Sequence, residues 1–117
     1  MTFFLPDDIT PRTPPAETRV LSLRAQPYPD RDRLRVEMDV SPFETPPHIE
    51  VTLLDSSGNE LTAVSFIEPM TWKIEFTLHL RGKTDPTGHY RLEARLYYPE
   101  GPAPEPLSIE FEIPPAE

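Results

Sequence analysis

From Trp72 to Leu80 every second residue is apolar: Trp72, Ile74, Phe76, Leu78 and Leu80 alternate without a break with Lys73, Glu75, Thr77 and His79. Successive side chains of an extended strand point to opposite faces, so this rhythm belongs to a strand with one dry and one wet side; a helix would scatter the same residues around its circumference. The pattern recurs along the chain. Residues 33–40 set Leu34, Val36, Met38 and Val40 against Arg35, Glu37 and Asp39, and residues 48–54 turn in Ile49, Val51 and Leu53. Residues 89–98 turn in Tyr90, Leu92, Ala94, Leu96 and Tyr98, and residues 107–113 turn in Leu107, Ile109, Phe111 and Ile113. Two further strands are predicted at 18–25, with Leu21, Leu23 and Ala25 in step, and at 60–67, where the alternation is blurred as at a sheet edge. Between the third and fourth, Asp55-Ser56-Ser57-Gly58-Asn59 has the chemistry of a tight turn.

Seventeen prolines in 117 residues reinforce the same conclusion. Proline fixes φ and lacks an N–H donor, so this many fit only in connections and tails, and no segment has a helical period. Pro6, Pro11, Pro14 and Pro15 mark residues 1–17 as an extended arm, and Pro114-Pro115 end the last strand, leaving 114–117 as a short tail. Seven one-faced strands over 18–113 bury their apolar sides only if two sheets press together, and the length suits a single core.

The stretch Asp85-Pro86-Thr87-Gly88-His89-Tyr90-Arg91-Leu92 resembles the beginning of the sixth strand of immunoglobulin-like domains, where Gly-x-Tyr supplies a tyrosine corner. Tyr90 is the matching residue. Leu92 stands where antibody domains carry their second cysteine and Trp72 falls on the fifth strand, so the likeness is to fibronectin type III-like or bacterial immunoglobulin-like domains. It implies an all-β, seven-stranded antiparallel immunoglobulin-like sandwich with a proline-rich N-terminal arm, and no particular activity.

A formal charge of -9 repels phosphate backbones and anionic lipids, so neither nucleic acid nor a membrane is an expected partner. There is no cysteine, and His48, His79 and His89 are spaced too widely to share a strand face, so no metal site is expected; Asp55, Asn59 and Glu60 read as turn residues and not as calcium ligands. The four glycines are scattered and no serine elbow is present, so neither cofactor nor catalytic residue is predicted and the chain is read as not an enzyme. Arg91 and Arg95 are expected to pair across to Glu110 and Glu112. The lack of a secretory apolar segment points to the cytoplasm.

Antiparallel strands bring the connections 41–47, 68–71 and 99–106 to the end from which the arm departs, and these carry Phe43, Glu44, Met70 and Glu100 among many prolines. Stiff loops lose little entropy on binding, so this end is expected to contact a protein partner. Phe3, Phe4 and Leu5 on the arm are expected to dock on a partner or on another copy. The expected function is a non-catalytic interaction or structural module in a larger assembly. The alternative is an inhibitor or carbohydrate-binding module, which needs aromatic rings such as Tyr28 and Tyr97 on one surface.

Overall fold

The computed structural model describes residues 12–80 and 86–115. Seven strands run β1 Val20–Pro27, β2 Arg33–Val40, β3 His48–Asp55, β4 Glu60–Ile67, β5 Lys73–His79, β6 Gly88–Tyr97 and β7 Leu107–Ile113. They form two antiparallel sheets, one ordered β1-β2-β5 and the other β4-β3-β6-β7. The immunoglobulin-like sandwich is therefore present, with its fourth strand beside the third. Among the described residues the one helical element is a 3-10 turn at Pro15–Glu17. None of their helices is long and apolar enough to cross a membrane.

The alternation read from the sequence is the reason the layers adhere. Leu34, Val36, Met38 and Val40 of β2 face Ile49, Val51 and Leu53 of β3 and Tyr90, Leu92, Ala94 and Leu96 of β6 in one buried cluster. Each Val, Leu, Ile or Met side chain among them contributes roughly 1.5–3 kcal/mol before ordering entropy is subtracted. The central strands carry most of the sealed residues, while edge strands add a few, such as Ile113 and Leu78, and half-buried ones such as Val64, Phe66, Ile109 and Phe111. Phe66 of one sheet meets Phe76 of the other edge to face, with ring centroids 4.9 Å apart.

Two expectations need correction. In step with Leu23 and Ala25, Leu21 is expected in the core, but a bulge shifts the register between Val20 and Ser22, so Leu21 is 61% exposed. An extra residue in one strand reverses the phase on its far side, and Val20 packs inward instead. Arg91 does stand opposite Glu110, but Glu112 faces His89, and Arg95 lies beyond the β7 ladder, opposite Glu50 of β3 and over the Tyr97 ring.

The tyrosine corner forms as the resemblance implied: the Tyr90 hydroxyl donates to the Pro86 carbonyl at 2.5 Å. Gly88, at φ +145°, admits a backbone turn just before it that other residues strain to adopt. Asp55 closes the β3–β4 turn, its Oδ1 accepting from the amides of Ser57 and Asn59 at 2.9 Å each. Gly58 supplies the φ of +85° which that turn requires.

Tyr90→Phe removes the corner's donor from a buried carbonyl and is expected to lower unfolding stability by about 1–2 kcal/mol, read by urea titration. At the β1–β2 turn, hydrogen bonds from the Asp32 amide and the Arg33 guanidinium hold the Asp30 carboxyl below the ordinary carboxylate range. A depressed value means that its stabilising contribution is whole above the unfolded value of about 3.9 and disappears as pH falls through the folded one. An NMR titration of the Asp30 side chain should accordingly show a midpoint below that of an unstructured peptide.

Candidate functional site

Strand polarity alone gathers the proline-rich connections at one end. Val20 pairs with Val40, and His48 pairs with both Ile67 and Tyr97, so the start of β1 and the loops after β2, β4 and β6 all emerge there. Hydrogen bonds then stitch the loops together. The Glu68 amide donates to the Pro47 carbonyl at 3.1 Å, and the Tyr98 hydroxyl donates to the Thr45 carbonyl at 2.7 Å. Residues 12–19 cross the same end. The Thr13 amide donates to Pro42 at 2.6 Å and the Glu44 amide donates to Thr13 at 3.0 Å, forming an isolated parallel bridge between Thr13 and Phe43. The buried Thr18 hydroxyl donates to the Pro14 carbonyl at 2.9 Å, the Ser41 amide donates to the Arg19 carbonyl, and the Arg19 amide donates to the Ser41 hydroxyl, each at 2.9 Å.

Three of the predicted site residues converge here. Phe43, Glu44 and Met70 line one groove of about 380 Å³ together with Arg12, Pro46, Thr71 and Trp72. Phe43, expected to present itself to a partner, is only 6% exposed. Its ring turns inward, edge-on to Trp72 at 6.4 Å, and so forms the floor. Met70 stands on the rim, 90% exposed. The Arg12 guanidinium lies 5.5 Å from the centre of the Trp72 ring, a cation–π contact on the opposite lip. Glu100 is at the same end, exposed in the β6–β7 loop at φ +60°, but outside this groove. Phe3, Phe4 and Leu5 lie outside the described residues.

The sequence alone does not mark Arg12, Pro46, Thr71 or Trp72 as site residues. Trp72 was legible as the first residue of the alternating strand, but its position just ahead of β5 places it between layers and surface. It also borders a second, mostly apolar hollow of about 500 Å³ shared with Leu21, Val40, Pro42 and Lys73. Leu21, Ile67 and Met70 are the exposed large hydrophobic side chains among the described residues, and all three stand at this end. Glu44, Glu68 and Glu100 give it an acidic rim.

The opposite end offers different chemistry. Arg31 donates to the Thr87 hydroxyl and to the Pro114 carbonyl, and Arg33 pairs with Asp30 at 2.8 Å while covering the Tyr28 ring. A hollow of about 260 Å³ there brings Asp55, Ser56, His89, Arg91 and Glu110 together, but the Asp55 carboxylate serves its turn. Among the described residues no three His, Asp or Glu side chains are grouped to hold a metal ion. Tyr28 reaches Thr77 on the outer face of the three-stranded sheet, whereas Tyr97 lies against His48 on the outer face of the other. The two rings therefore do not share a platform.

No family model matches the chain, and no curated protein matches it either. Solved structures do. A β-glucuronidase of Bifidobacterium dentium, in complex with coumarin-3-O-glucuronide, superposes with a TM-score of 0.57 at 15% identity over 85% of this chain and 18% of that one. A Lactobacillus rhamnosus β-glucuronidase does so with a TM-score of 0.52 at 13% identity over 84% of this chain and 16% of that one. The chain thus spans less than a fifth of either. At such identities the likeness is one of fold.

The contrast between floor and rim is testable by substitution. Phe43→Ala empties a packed site and is expected to cost about 3–5 kcal/mol, whereas Met70→Ala should stay within about 0.5 kcal/mol of the parent in the same urea titration.

Proposed function

We propose that the chain is a non-catalytic protein-binding module that works through the groove end of its sandwich as part of a larger assembly. The observation that carries this reading is the segregation of exposed apolar side chains: Leu21 and Met70, at 61% and 90% exposure, line the two hollows flanking Trp72, and Ile67, at 62%, stands at the same end. Isolated exposed apolar residues are ordinary, but a cluster rimmed by charge on a stiff scaffold marks a contact surface. Prolines at positions 42, 46, 47 and 69 reduce what the loops lose in entropy when a partner orders them. A floor of buried Phe43 and half-buried Trp72 beneath an exposed Met70 is a place for an apolar anchor residue of the partner, and Glu44 and Arg12 supply polar register.

The solved neighbours support the architectural half of this reading. In each, the corresponding sandwich is a minor fraction of a long chain, which suits a supporting domain, and the strand order with β4 beside β3 supports the fibronectin type III-like variant. The acidic balance supports a protein partner over nucleic acid or an anionic membrane.

Leu21→Ser combined with Met70→Ser leaves the core intact and removes the anchor surface. Proteins captured from the chain's native cells by the parent and lost by this variant are the expected result. An identical set of captured proteins would contradict the reading.

A further inference from the structure

The sandwich has four sheet edges, β1, β5, β4 and β7, and three of them carry charge or proline that discourages a further strand. β1 is bulged between Val20 and Ser22, projects Arg24 and ends at Pro27. β5 sets Lys73, Glu75 and His79 outward, and β7 sets Glu110 and Glu112 outward between Pro106 and Pro114. β4 is bulged at Leu61, close to its start, but beyond that bulge it carries neither charge nor proline. From Leu61 to Ile67 it contains no charge and no proline, and its outward residues Ala63, Ser65 and Ile67 are uncharged and exposed. Its inward side chains are also incompletely covered: Leu61, Val64 and Phe66 touch the core, yet no residue of β4 is fully buried. A strand laid along this edge would pair the open backbone groups and finish covering that apolar row.

Charge decides which strand. Glu60 and Glu68 bracket the uncharged run, and the whole chain carries -9. Antiparallel pairing of two copies centred on Val64 would set Glu60 against Glu68 twice and bring together two acidic bodies, so a second copy is a poor occupant. We infer that the β4 edge is a strand-addition site for an extended segment of a partner protein, apolar at alternate positions and carrying lysine or arginine at both ends of the paired stretch. This goes beyond the groove at the loop end, because it uses backbone pairing along a sheet edge and not a side-chain anchor.

The probe is a nine-residue peptide of alternating threonine and valine with lysine at each terminus, long enough to pair from residue 60 to residue 68. Hydrogen exchange of the intact protein with and without the peptide is expected to show new protection at residues 61–67, and calorimetry should show binding that weakens at least about tenfold when glutamate replaces both lysines. Ser65→Lys, placed outward where the core is untouched, should weaken binding by a similar factor with unaltered thermal stability, while Met70→Ser in the groove should leave it unchanged. Absence of protection at 61–67, equal binding of the glutamate-ended peptide, or loss of binding in Met70→Ser would overturn the proposal. So would light scattering that shows a parent dimer dissociated by Ser65→Lys, since the edge would then belong to a second copy.

Discussion

Contact between two apolar faces is the interaction on which everything else in this molecule depends. Without disulfides, and without metal-ligand clusters among the described residues, the sandwich is held by side chains that become dry only when the sheets meet. Leu34 and Val36 on one layer, and Val51, Leu53 and Leu92 on the other, have no solvent exposure at all. Their positions fix which way every strand must face, and the intervening residues are thereby forced outward. The outer side of the three-stranded sheet is consequently a ladder of ions, with Arg24 at 2.8 Å from Glu37 and Arg35 at 2.9 Å from Glu75. Such exposed pairs add little stability; Glu75 hydrogen-bonds to Arg35 and keeps its guanidinium charged, and the row marks that surface as wet.

From that packing follows the segregation of the two ends. Antiparallel strands return the chain to the same end at every second connection, so segments remote in sequence meet without any dedicated device. Arg12, Phe43, Glu44, Pro46, Met70 and Trp72 share one groove for this reason. The prolines of those connections serve stability and recognition together: a loop stiffened by proline needs less ordering in the folded state, and less again when bound. At the far end the corresponding turns are occupied by local business, Asp55 holding its own turn and Arg33 stacked on Tyr28.

Much of this was legible in the sequence because strands buried on one face obey a simple period. β2, β5 and β6 alternate so cleanly that their inward residues could be named in advance, and the Gly88-x-Tyr90 motif led to the corner hydrogen bond. What escaped depends on interactions between distant segments. The bulge in β1 has no local signature, and it alone moves Leu21 from core to surface. Phe43 sits in a proline-rich loop, where an aromatic reads as exposed; only the proximity of Trp72 turns it inward. Arg12 lies within an arm-like sequence, yet the Thr13 bridge to the β2–β3 loop draws it to the groove. The blurred alternation of β4 did indicate an edge, but which edge lacked charge and proline emerged only once all four were known.

The most direct measurement is a solution NOE spectrum with assigned aromatic and methyl protons. Cross-peaks between the Phe66 and Phe76 rings, whose centroids are 4.9 Å apart, should report the contact between layers, and peaks between Phe43 and Trp72 the closure of the groove floor. Their joint presence is the outcome this account requires. If Phe66 and Phe76 show no contact in a folded sample, the sheets are not pressed together as described and the groove loses its foundation.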